Sequence, residues 1–267
     1  MEAALRILLL LMSFCAGFCA GFGGAAFAQA EMAGVDLQAP KMTEANVTRA
    51  EVEAMIAARQ PVDLSGRWLN GLDLSGLDLS GANLRAAGLN GTNLSGAVLR
   101  GAVLDQAWLL GADLGGADLG GASLFQSQFG GANLAGADLS GSRAAANFTG
   151  ADLTGADFTG ADLSADMKNQ SMGLMRGVLR QAKAAGAVFK GALLMRSDLE
   201  YADLTGADFS GADLSMATLG GANLSGADVG GAVFVDADMA SARLTGLQNA
   251  DPAALGRAKN LDRAFRD

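Results

Sequence analysis

A period of five residues constrains this chain more than any other feature. From Val62 onward the letters run Ala, Asp or Asn, Leu or Phe, a small polar residue, then Gly, repeatedly. With Leu or Phe as the centre, centres run from Leu64 to Leu139, Phe148 to Leu163 and Phe189 to Leu244. There are 32, of which 24 are Leu and 6 are Phe. Ala stands two before 25 of them and Gly two after 23, so the spacing is structural and not a by-product of composition. An α-helix turns about 100° per residue, so five residues overshoot one turn by about 140° and scatter the leucines around the axis. A flat strand alternates faces, so an odd period sends successive leucines to opposite sides. Frequent glycine also costs a helix about 1 kcal/mol each time. One geometry keeps every centre inside. The chain turns a corner at each quintet, and Gly with Asp or Asn supplies the turn conformations. Four such corners close a square coil, and stacked coils pair through their backbones at about 4.8 Å.

The quintet resembles the repeat of the pentapeptide-repeat family, over residues 62–246. The resemblance implies an all-β fold, a right-handed quadrilateral β-helix with short N- and C-terminal capping helices. It implies little about function, because the family is functionally scattered. With the irregular stretch included, about ten coils are expected, in a rod about 45–50 Å long.

Solenoid ends expose unpaired edges and need covering. Thr48-Arg49-Ala50-Glu51 is a capping-box sequence that opens a helix over 49–59, ended by Pro61. Asp251-Pro252 opens a second helix over 252–265, with Leu255, Ala258, Leu261 and Phe265 placed to cover the last coil. Residues 29–46 read as a mobile lead. The expected layout is a signal peptide at 1–28, a lead and capping helix at 29–61, the β-helix at 62–246 and a capping helix at 247–267.

Residues 1–28 carry the marks of export. Arg6 precedes the apolar run Ile7–Met12, and Ala26-Phe27-Ala28 is a small-residue cleavage pattern before Gln29. The alternative is an uncleaved anchor formed by residues 7–27, an uncharged stretch long enough to span a bilayer. Cleavage after Ala28 predicts a periplasmic or secreted product. It also removes both cysteines, Cys15 and Cys19, and with them any disulfide.

The period breaks twice. One residue is missing near Ser142-Arg143-Ala144-Ala145, which calls for a tighter corner or a bulge. A larger irregular, basic break spans 165–186, either a distorted coil or an inserted loop with Met172, Met175 and Leu179 on one helical face. From Lys168 through Arg196 there are six basic residues and no acidic one. Lys168, Arg176, Arg180 and Lys183 are therefore candidates for contact with an anion or anionic lipid, or simply partners for aspartates on neighbouring coils. Met167, Met172, Met175 and Met195 gather there too; thioethers bind Cu(I), but they also fill irregular gaps.

Most outward positions are small or polar, so the bulky exceptions stand out. Trp68, Trp108, Leu110 and Phe125 are candidate protein contacts, with Gly88 lying between the two tryptophans on one face and Asp105 and Arg100 at the rim. The competing reading is that residues 29–46 pack there. Fifteen of the 32 pre-centre positions are Asp. Some members of the resembled family mimic duplex DNA with such a rod and occupy a type II topoisomerase, DNA gyrase. That resemblance implies an acidic-mimic alternative, set against the export signal and the local backbone bonds that Asp tends to make.

The net charge of −9 argues against direct nucleic-acid binding. The absence of histidine removes His-based triads and metal sites. No phosphate loop or nucleophile with a visible base is present. The expectation is a non-catalytic binding or structural scaffold in the bacterial envelope, with no cofactor and no metal.

Overall fold

The computed structural model describes residues 35–58, 61–167 and 175–266. The signal segment, the anchor alternative, Lys168 and Met172 lie outside the described residues. Parallel bridges link residues one coil apart along four faces. The first face runs Asp63, Asn83, Val103 and on to Val233; the second runs Trp68, Gly88, Trp108 and on to Lys259. The third carries Asp73 to Phe265, and the fourth Asp78 to Gln248. The fold is the expected right-handed quadrilateral β-helix.

The quintet explains the interior. Each centre and the small residue two before it point inward, and the centres from Leu64 to Leu224 are essentially fully buried. Alanine fits because a larger side chain two positions from each leucine would overfill a square coil. At three small positions a hydroxyl bonds a carbonyl of an earlier coil, as Thr92 Oγ1 does to Leu69 O at 2.8 Å, whereas the buried Ser142 Oγ has no partner among the described residues. Phenylalanines stack in register between coils: Phe158, Phe189 and Phe209 lie with ring centroids 5.0 and 4.9 Å apart. Phe148 meets Phe158 edge-on at 5.9 Å.

Among the described residues three short helices frame the rod: α1 (Pro40–Thr43), α2 (Arg49–Ala57) and α3 (Pro252–Leu255). α2 is the expected N-terminal cap. The Thr48 side chain accepts from Glu51 N, and Glu51 Oε2 accepts from Thr48 N at 2.7 Å. Val52 on this helix is wholly buried, with Met55 and Ile56 packed against the first coil.

Three expectations change and one open alternative is settled. Residues 35–46 are not a loose lead: they hold α1, and Ala45 pairs antiparallel with Leu69. The C-terminal segment is not one helix over 252–265. α3 spans four residues, a 3₁₀ turn covers Leu261–Arg263, and Lys259 and Phe265 extend the second and third faces. Ala264 therefore packs inward and Phe265 points out, 60% exposed, because strand neighbours alternate. The missing residue near 144 makes a tighter corner, in which Ala146 N donates to Ala144 O at 2.7 Å. Finally, the break does not reach residue 186. Val178 already bridges Asn147, and Leu179 is a buried centre, so it shares no helical face with Met175. The sequence hid this coil because Ala184 stands where Leu or Phe is usual, as does Ala144.

Candidate recognition edge

At each corner the second residue after the centre takes the left-handed conformation. On the edge between the third and fourth faces, and on that between the fourth and first, every such residue is glycine, from Gly76 to Gly246 and from Gly81 to Gly231. The edge between the first and second faces differs. After Gly66 it carries Ala86 (φ +54°), Gln106 (+60°), Gln126 (+61°), Arg196 (+63°), Met216 (+58°) and Asp236 (+58°). A residue with a Cβ costs about 1–2 kcal/mol in that conformation relative to the right-handed one. The tightened corner at Ala144–Ala146 and the inserted loop both fall on this first edge. The loop leaves after Leu163 and returns at Gly177, whose N–H donates to Leu163 O at 2.8 Å. Asp166 N and Met175 O close its neck at 2.9 Å.

The N-terminal segment lies on the second face beside this edge. Asn46 N donates to Trp68 O at 2.8 Å, and Trp68 N donates back to Asn46 Oδ1 at 2.9 Å. Asn70 Nδ2 donates to the carbonyls of Lys41 and Glu44, and Asn90 Nδ2 to that of Met42. Gly88 is buried beneath the segment: a Cβ there would stand 2.9 Å from Lys41 O. The space that Gly88 leaves between the tryptophans is filled by this chain's own backbone. A cavity of about 500 Å³ remains among Val35, Asp36, Trp68, Ala86 and Trp108.

Trp108 also borders a second cavity, of about 400 Å³, whose walls include Gln106, Gln126, Gln128, Asn147 and Arg176. The carboxamides are linked. Gln106 Nε2 donates to Gln126 Oε1 at 3.2 Å, and Asn147 Nδ2 to Gln128 Oε1 at 3.1 Å. Gln126 Nε2 donates to Met175 Sδ at 2.7 Å, and Gln128 Nε2 to Gln126 O at 3.1 Å.

The bulky candidates are thus partly gathered. Trp68 and Trp108 share the second face, two coils apart. Leu110 and Phe125, both half-buried, sit at the corners on either side of Trp108. Phe125 lies under the Arg143 guanidinium, 4.1 Å from its ring centroid. Asp105 stands at this edge, accepting from Phe125 N and from Arg85. Arg100 does not, because it pairs with Asp118 and Asp138 on the fourth face.

The described basic candidates are only partly gathered. Arg176 and Arg180 both reach Asp198 Oδ2, at 3.4 and 2.9 Å, and Arg180 also reaches Glu200 at 3.0 Å. Lys183 lies on the third face between Asp152 and Asp203. The methionines separate as well: Met167 and Met195 line a third cavity with Arg143 and Asp166, while Met175 faces Gln126. Among the described residues no group of His, Cys, Asp or Glu is arranged to hold a metal ion.

The aspartates mostly serve their own corners. Asp78 Oδ1 accepts from both the hydroxyl and the N–H of Ser80, which hold its carboxyl below the usual value. On the third face Asp alternates with Asn, and Asn93 and Asn133 donate across coils to Asp73 and Asp113. The acidic rod is therefore interleaved with amides and less uniform than the Asp count suggests.

Sequence reasoning missed Asn70, Asn90 and the carboxamide group. The usable signal was the fifth letter of the quintet: Gln106 and Gln126 replace a corner glycine one coil apart.

Several solved structures are similar to this chain. HetL, a pentapeptide repeat protein involved in heterocyst differentiation regulation in the cyanobacterium Nostoc sp. strain PCC 7120, is 28% identical, covering 82% of this chain and 95% of its own, with a TM-score of 0.40. QnrB1, a plasmid-mediated fluoroquinolone resistance protein, is 18% identical over 78% of this chain and 90% of its own, with a TM-score of 0.36. A pentapeptide repeat protein of the Arabidopsis thaliana thylakoid lumen is 31% identical over 45% of this chain and 70% of its own, with a TM-score of 0.27. No curated protein matches the chain. The model for pentapeptide repeats matches in eight copies, over residues 62–96, 78–116, 109–141, 144–165, 178–211 and 212–246. On that match, which covers most of the chain, the protein belongs to the pentapeptide repeat family.

Proposed function

We propose that this protein is an exported, non-catalytic scaffold of the bacterial envelope that binds a protein partner along its first edge and second face. One observation carries the reading: the shortened corner, the inserted loop and six left-handed residues other than glycine, Gln106, Gln126, Arg196 and Met216 among them, fall on that edge, against Gln181, Tyr201 and Ser241 on the next. Backbone strain concentrated on one edge of a repeating structure points to a use for that edge, since glycine serves the two edges flanking the fourth face without strain. Trp108, Leu110 and Phe125 supply aromatic and aliphatic area of the kind that anchors protein interfaces. Residues 1–28 support export.

Crosslinking pull-downs from the envelope test the contact. The pair Trp108→Ala and Phe125→Ala should lose partners that the wild type retains; an unchanged set of partners refutes the surface. Fractionation with N-terminal sequencing tests export. The expected mature chain begins at Gln29 outside the cytoplasm, and a cytoplasmic chain retaining residues 1–28 overturns that half of the reading.

A further inference from the structure

We infer that the cleft beside Trp108 is a binding site for a neutral sugar residue of a glycan. The inference rests on the first edge being the recognition edge, and it names a ligand for it. The cleft holds about 400 Å³, within the range of small-ligand sites. Its polar wall is made of carboxamides: Gln106, Gln126, Gln128 and Asn147. A carboxamide carries two N–H donors and an acceptor oxygen, which matches the mixed donor and acceptor character of sugar hydroxyls. The observed bonds use one N–H each of Gln106, Gln126 and Gln128, so each retains a second. Trp108 adds an apolar wall suited to the C–H face of a pyranose.

Charge argues for a neutral ligand. The chain carries −9, yet among the described residues no carboxylate lines this cleft, and the charged residue in its wall, Arg176, is turned to Asp198. An anionic ligand would find that cation already engaged. A cationic ligand would find no acid. Gln106 and Gln126 stand one coil apart, about 4.8 Å, on the scale of a single sugar ring. Both hold the strained left-handed conformation at corners where glycine would be relaxed.

That strain supplies the test. Gln106→Gly and Gln126→Gly together remove the amides and relieve the backbone. If the amides served stability alone, the double variant would melt lower. If they serve a ligand, it should melt at the same temperature or higher and lose binding. Tryptophan fluorescence is followed in a Trp68→Phe background, so that Trp108 reports alone, during titration of the full protein with chitotetraose, maltotetraose and cellotetraose. The expected result is a saturable change with at least one of these, weakened at least tenfold by the double variant with no loss of melting temperature. Absence of a saturable response to all three overturns the sugar assignment, as does equal affinity in the double variant. A response to unstructured neutral peptides but not to sugars overturns it too.

The pull-down separates the two readings. Loss of the protein partner in Trp108→Ala without any sugar response keeps the recognition edge and rejects its glycan. Sugar binding with unchanged protein partners does the reverse.

Discussion

Two glycines, Gly88 on the second face and Gly91 at the corner after it, are constrained for opposite reasons. Gly91 needs its left-handed φ of +61°, but open space surrounds the position where a Cβ would go. Gly88 has no such φ, but a Cβ would meet the Lys41 carbonyl at 2.9 Å. Gly91→Ala should therefore cost about 1 kcal/mol through strain and leave the N-terminal segment in place. Gly88→Ala should cost about 1–3 kcal/mol through overpacking and lift that segment. Hydrogen exchange checks this: the Asn46 amide, bonded to Trp68 O, should exchange faster only in Gly88→Ala. Equal protection in both variants would refute the packing argument. The carboxylates act at the same scale. Asp228 is held below the usual value, near 3.8, by the Gly230 N–H and the Asn249 amide, and Asp238 by the Asn260 amide and the Ala240 N–H. A pKa lowered by folding gives stability that is complete above the unfolded value and is lost as pH falls through the folded one. Thermal midpoints should thus be level from about pH 7 to 5 with respect to these groups, and decline below about pH 4. A midpoint that rises on acidification below that point would refute it.

At the scale of elements, α2 closes the first coil through the Thr48–Glu51 pair and the buried Val52. Thr48→Ala should cost about 1 kcal/mol, read in chemical denaturation. Val52→Asp should do more, since an unpaired carboxylate would lie against the open end of the core. The expected sign is self-association through the uncovered coil, detected by light scattering. A monomeric Val52→Asp protein would show that α2 is not the cap. The C-terminal end uses a different device. Instead of a helix lying across the coil, the tail adds Lys259 and Phe265 to two faces and leaves Leu255, Leu261 and Ala264 against the core.

The whole molecule is a rod whose coils contact only their neighbours, so a local change to one corner need not propagate. The inserted loop is the clearest case. Asp162 and Val178 are successive outward residues, separated by sixteen positions where the quintet has five. Excising residues 166–176 restores the quintet. The shortened protein should keep its β-helix by circular dichroism and melt within a few degrees of the wild type, while losing the Met175 and Arg176 wall of the cleft. Unfolding of this variant would mean that the loop is structural.

The five-residue period was sufficient, read from residues alone, to specify the coil, its four faces, the buried centres and the stacking of Trp68, Gly88 and Trp108. Each follows from local geometry repeated at a fixed interval, and the capping box of α2 is equally local. The limits of the break were not legible, because Ala144 and Ala184 occupy centres without resembling them and only cross-coil pairing reveals their place. The seating of residues 35–46 on Asn70 and Asn90, and the convergence of Gln106, Gln126, Gln128 and Asn147 on one cleft, join groups that lie far apart along the chain. Those were decided by tertiary structure, because one missing residue and one inserted loop set which side chains meet at an edge.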